Sequence, residues 1–163
     1  MRFLAATACL AALAAPASAR QAAASCPPAG WTTASLASLK DNKFAIADAA
    51  ARQSLALALT TCLGDPNPVL RDSIAFEALT TWLRAEQLDR ATAIALRAQL
   101  LPLLASQDPQ GFRAPFAALI MAEVARTDRI KPWMTAEGRD ALVQAAAAYL
   151  SGVQDYRAFN AQP

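Results

Sequence analysis

Two prolines one residue apart, Pro66 and Pro68, constrain the fold of this chain more than any other feature. A residue that precedes proline is sterically held out of helical geometry, so Asp65 and Asn67 both lie outside a helix. Pro68, in contrast, is preset for a first helical position, with Asn67 as its cap. One helix must therefore end by Gly64, a natural C-terminal stop, and another must begin at Pro68. About 43 residues later, Ser106-Gln107-Asp108-Pro109 echoes Leu63-Gly64-Asp65-Pro66, a period within the range of HEAT-type helix pairs. An arginine follows each break, Arg71 and Arg113. Phe76-Glu77-Ala78-Leu79 then corresponds to Phe116-Ala117-Ala118-Leu119.

Between the breaks the chain is rich in Ala and Leu, strong helix formers, and poor in the β-branched and aromatic residues that strands favour. A short helix is expected over residues 35–40. The first long helix covers 44–62, where Phe44, Ala47, Ala51, Leu55, Ala58 and Leu59 recur at helical spacing. The second runs from Pro68 to about Ala85. The third spans 89–105, with Pro102 kinking it or ending it early. The fourth, 115–127, is apolar nearly all round and is expected to be the most buried. Thr135 caps a fifth that reaches about Leu150. The predicted fold is all-α: antiparallel helix pairs in a HEAT-like α-solenoid or bundle of about five long helices, occupying residues 35–163.

Residues 1–19, MRFLAATACLAALAAPASA, read as a secretory signal peptide: a basic second residue, an apolar run, and Ala17-Ser18-Ala19 before the cut. The apolar run of about 13 residues is too short to span a bilayer. Cleavage after Ala24 and lipid attachment at Cys26, through Ala23-Ala24-Ser25-Cys26, are the alternatives. The expected destination is the periplasm or the exterior. Residues 20–34 form a polar, Pro-bearing arm. Removing the leader leaves Cys26 and Cys62, which an oxidising compartment would join, tying the arm to the end of the first long helix.

Of the 163 residues none is histidine, which excludes Ser-His-Asp and Cys-His catalysis within this chain and removes the commonest zinc ligand. No Gly-rich phosphate loop, redox Cys pair or metal motif is present, so no cofactor is expected and an enzyme is disfavoured. The net charge is only +2 and its signs are interspersed, so nucleic acid is not an expected partner. The candidate residues are therefore structural. On a helical projection from Val69 at 100° per residue, Arg71 and Asp72 both fall on the apolar side. Buried charges must be paired, and Arg71 is expected to reach carbonyls or an aspartate of a neighbouring inter-helix turn, with Asp108 the first candidate. If the pair is buried, Asp72→Ala costs about 3 kcal/mol. Glu123, on the apolar fourth helix, is either an acid of raised pKa or the partner of Arg113 or Arg126. Asp48 and Arg52 form an i, i+4 pair on a solvated face. Glu77, Thr81 and Arg84 make a polar arc on which an unknown protein partner could dock.

Three segments carry a family resemblance: Leu70-Arg71-Asp72, Arg113-Ala114-Pro115-Phe116, and Asp155-Tyr156-Arg157-Ala158-Phe159. In this order and spacing they resemble the uncharacterised bacterial family catalogued as domain of unknown function 2785. The resemblance covers about residues 36–159. It implies a helical, HEAT-like fold and supplies no activity. Members of that family typically continue into a histidine-bearing segment. The resemblance therefore raises the reading of a fragment of an uncharacterised enzyme family without its catalytic part, whereas the leader, the repeat and the absence of catalytic constellations point to an exported, periplasmic binding and scaffold module. A fragment would expose an apolar face on its last helix and self-associate through it.

Overall fold

The structure, a computed structural model, describes residues 25–106 and 110–154. The leader, Asp108 and the segment 155–159 lie outside the described residues. Six α-helices are present among those described, and no strand. Helix α1 is Thr33–Asp41, α2 Ala49–Leu59, α3 Glu77–Arg84, α4 Arg90–Leu104, α5 Arg113–Ile130 and α6 Ala136–Gly152.

Side-chain caps set most of the starts. The Thr32 hydroxyl accepts from Ser35 N (3.1 Å), and the Ser35 hydroxyl accepts from Thr32 N (2.9 Å), closing a reciprocal box at α1. Asp89 accepts from Thr92 N (2.7 Å) at α4, and Thr135 from Gly138 N (3.1 Å) at α6. The first long helix starts later than the apolar spacing implies. Lys43 and Phe44 both take left-handed backbone (φ 52° and 58°), which turns the chain and cannot continue into a helix. Asp48 accepts from Ala50 N (2.8 Å) and Ala51 N (3.3 Å), so α2 begins at Ala49. Asp48 is thus a cap, not half of a surface ion pair. Arg52 instead donates to the carbonyls of Ile46 and Gln87.

The double-proline break is a pair of side-chain turns. Asp65 Oδ1 accepts from Asn67 N (2.8 Å) and Asn67 Oδ1 accepts from Val69 N (2.9 Å). Before it, α2 tightens into a 3₁₀ turn, Thr60–Gly64. After it, Val69–Phe76 winds as a π-helix that runs into α3. The wider i→i+5 winding departs from the projection at 100° per residue. Arg71 is buried, but the Asp72 side chain is 44% exposed, so only one of the two charges faces the core. The premise of the expected 3 kcal/mol for Asp72→Ala, burial of the pair, holds for Arg71 alone.

Helix α4 packs most extensively on α5 and is flanked by α2 and α6. The π-segment rests on the 3₁₀ turn and α1, and α3 rests on α5. Their shared core contains Leu36, Leu59, Leu63, Leu79, Leu96, Leu100, Ile120 and Val124 around a fully buried Trp82. Trp82 meets the Phe44 ring edge-on at 6.2 Å and donates its indole N–H to the Phe44 carbonyl (2.9 Å). That contact holds the left-handed turn in place. Helix α4 continues through Pro102 and ends two residues later, at Leu104; the proline has no N–H to donate to the carbonyl four residues before it. Cys26 is bonded to Cys62, joining the arm to the 3₁₀ turn. No helix among the described residues is long and apolar enough to cross a membrane.

Candidate functional site

Arg71 lies between the two inter-helix breaks. Its Nε and Nη2 donate to the Asp72 carboxylate (2.6 and 3.1 Å), and Nη1 donates to the Asp65 carbonyl (3.0 Å). The guanidinium lies 3.7 Å from the centre of the Phe112 ring and 5.2 Å from that of Phe116. Planar stacking on an aromatic face with bidentate pairing is the use for which arginine is suited and lysine is not. Arg113, from the second break, lies in turn against Gly64 of the first. A Cβ added at Gly64 would sit 2.6 Å from Arg113 Nε. Each break thus sends an arginine onto the other. The expected contact of Arg71 with Asp108 lies outside the described residues; Phe112 supplies the described contact from that break.

Glu123 receives Arg84 and Arg126. The Nε atoms of both donate to it at 2.9 Å, and Arg84 Nη2 adds a further contact. The hydrogen bond from Arg84, chiefly, holds the carboxyl of Glu123 below its ordinary pKa, opposite to the direction that a proton-donating acid requires. Arg113 is not its partner. Arg126 also donates to the Leu83 carbonyl (3.0 Å), and Lys40 pairs with Glu77 (2.9 Å). Glu77 and Arg84 of the polar arc are thus engaged in tying α3 to α1 and α5.

The concave site lies elsewhere, between the loop that follows α3 and the loop that follows α5. Asp128 organises the second loop. It stands in the last turn of α5, where the helix dipole disfavours an anion. It is nevertheless buried, accepting from Trp133 N (2.7 Å), Met134 N (2.6 Å) and Arg139 Nε (2.7 Å). The Arg139 hydrogen bond foremost, then the two backbone N–H groups, pull its pKa from 3.8 to about 2. Arg90 donates to the Trp133 carbonyl (3.1 Å), and the Trp133 indole donates to the Thr127 hydroxyl (3.1 Å). The opposite loop is pinned at Gln87, whose carbonyl accepts from Arg52 (3.0 Å) and Gln53 (3.1 Å).

The cleft between these loops has a volume of about 450 Å³. Leu83, Leu88, Ala93 and Ile130 supply an apolar lining beside Trp133 and Pro132, and Arg90, Arg126, Lys131, Glu86 and Asp89 the charges. Such a size and lining suit a small ligand or a side chain of a larger one. The lining has no nucleophile held by a base: the Thr127 hydroxyl donates to the Val124 carbonyl (2.7 Å) and accepts from Trp133. Among the described residues no three His, Cys, Asp or Glu side chains stand together as a metal site. A second, shallower trough of about 350 Å³ runs between α4 and α6, lined by Leu101, Leu104, Ala145, Ala148 and Tyr149.

Sequence reasoning missed Asp128, Arg139, Arg90 and Trp133 as a set. Asp128 reads as one of several alternating charges in Arg126-Thr127-Asp128-Arg129. The available signal was its position: an acid in a helix's last turn needs donors from beyond that helix.

One comparison bears on kinship. Residues 100–162 match the family described as "Protein of unknown function (DUF2785)". The DUF2785 match takes in the end of α4, α5, α6 and the segment that follows. It includes two of the three motifs that carry the resemblance; Leu70-Arg71-Asp72 precedes it. The cleft straddles the boundary, since Lys131 and Trp133 lie within the DUF2785 span and Leu88 and Arg90 lie outside it. No curated protein and no solved structure matches the chain.

Proposed function

We propose that this chain is an exported, HEAT-like binding and scaffold module that holds its partner in the cleft beside Trp133. The observation that carries the reading is preorganisation. Both walls are loops, yet each is fixed by hydrogen bonds from neighbouring helices, through Asp128 and Arg90 on one side and Arg52 and Gln53 on the other. A preformed concavity loses little ordering entropy on binding. The recurrence of the break after α2 and after α4, with arginines crossing between the two, supports the HEAT-like reading. The leader and the joined cysteines support export.

Two measurements test it. Expression of the full chain with its leader in a bacterium with a periplasm should yield the species cut after Ala19, oxidised at Cys26 and Cys62. Retention of the leader on a cytoplasmic, reduced chain would remove the export arm. For the cleft, a photo-crosslinking residue at Ile130 should give an adduct of one discrete mass by intact-protein mass spectrometry. The same residue at Val143, exposed on α6, should give none. Equal adducts at both positions, or none at Ile130, would count against binding in the cleft.

A further inference from the structure

We infer that the ligand of the cleft is a small organic anion with a flat apolar body, such as an aryl carboxylate or sulfonate; this rests on the binding-module reading. Leu88 and Ile130 offer an apolar bed for a ring, and Trp133 adds an aromatic surface. The charges decide the sign of the head group. Asp89 is taken up at the start of α4, where it accepts from Thr92 N, and Arg126 is taken up by Glu123. The groups left over are Lys131, exposed and without a side-chain partner among the described residues, and Arg90, which keeps donors to spare after its bond to the Trp133 carbonyl. Glu86 is the remaining carboxylate. Two cations against one anion around an apolar floor favour an anion whose apolar part is buried and whose charge sits at the rim.

Calorimetric titration of the oxidised full chain with naphthalenesulfonate, naphthylmethanol and naphthylmethylammonium tests this directly. The three probes share a ring system and differ in charge. The sulfonate should bind tightest. Lys131→Glu should weaken the sulfonate roughly fivefold and leave the neutral alcohol unchanged, as reversal of one rim charge implies. Ile130→Glu should weaken both. Equal or tighter binding of the ammonium or the alcohol overturns the inference. So does an unchanged sulfonate affinity in Lys131→Glu, or no binding of any probe to a chain that melts cooperatively. A discrete adduct at Ile130 with no probe binding would remove the anion and leave the binding module standing; absence of both would remove both.

Discussion

Helices α3 and α6 are held in different ways. Helix α3 is the second half of a winding that begins at Val69; Ala78, Leu79, Trp82 and Leu83 are all buried, and its polar side is tied to α1 and α5 by Glu77 and Arg84. Helix α6 has 17 residues and buries one of them fully, Gly138, against which Arg97 lies. Val143 and Leu150 face outward at 62% and 60% exposure. Area removed from water sets the hydrophobic contribution, so α3 is anchored by packing. Helix α6 leans on the core through Leu142, Ala145 and Tyr149, all only partly buried, and is tied to α5 by the Asp128–Arg139 pair at its first turn.

Four substitutions or conditions would break or sharpen that contrast. The largest effect is expected from Trp82→Ala, which empties the centre of α3 and frees the Phe44 carbonyl. A loss of about 4 kcal/mol in denaturant unfolding is expected. A loss below about 1 kcal/mol would show that the core does not hinge on α3. Next comes Cys62→Ser. Opening a bridge between residues 36 apart should cost roughly 3 kcal/mol and lower Tm, with little further change on adding reductant to the variant.

The third concerns α6 and pH. The folded pKa of Asp128 is depressed to about 2 from 3.8, so its contribution is fully present above the unfolded value. It is lost as pH falls from about 4 towards 2, and amounts to on the order of 1–2 kcal/mol after allowance for the half-exposed Arg139. Hydrogen exchange should show α6 loosening across that window while α3 stays protected. Asp128→Asn should abolish the dependence, and uniform loosening of both helices would contradict the contrast. The smallest effect belongs to Val143→Lys, which should change stability by less than about 0.5 kcal/mol. A larger loss in the isolated chain at low concentration would mean that this face of α6 is already covered, a result that sedimentation could assign to self-association.

The parts of the fold that rest on local chemistry were legible. Asp65, Asn67 and Pro68 dictate a turn and a start through neighbouring atoms alone, and Asp89 and Thr135 cap by reaching three residues onward. The start of α2 was not legible from apolar spacing. The left-handed Phe44 is tolerated because Trp82, 38 residues away, anchors its carbonyl. The π-winding after Pro68 left no mark in the apolar pattern, and it moved Asp72 outward. The cleft was not legible either, because its walls are two loops brought together only when α4 packs on α5.

The sequence by itself determined that this chain is helical, that one helix stops and another starts around Asp65-Pro66-Asn67-Pro68, and that histidine chemistry is absent from it. Each of these follows from residue identity or from atoms a few positions apart. Tertiary structure alone decided that Arg71 lies on Phe112, that Glu123 is held ionised between two arginines, and that Asp128 gathers a loop into the wall of a cleft. Those outcomes depend on groups far apart in the chain meeting around a buried or nearly buried charge, where partners, not propensities, set the energy.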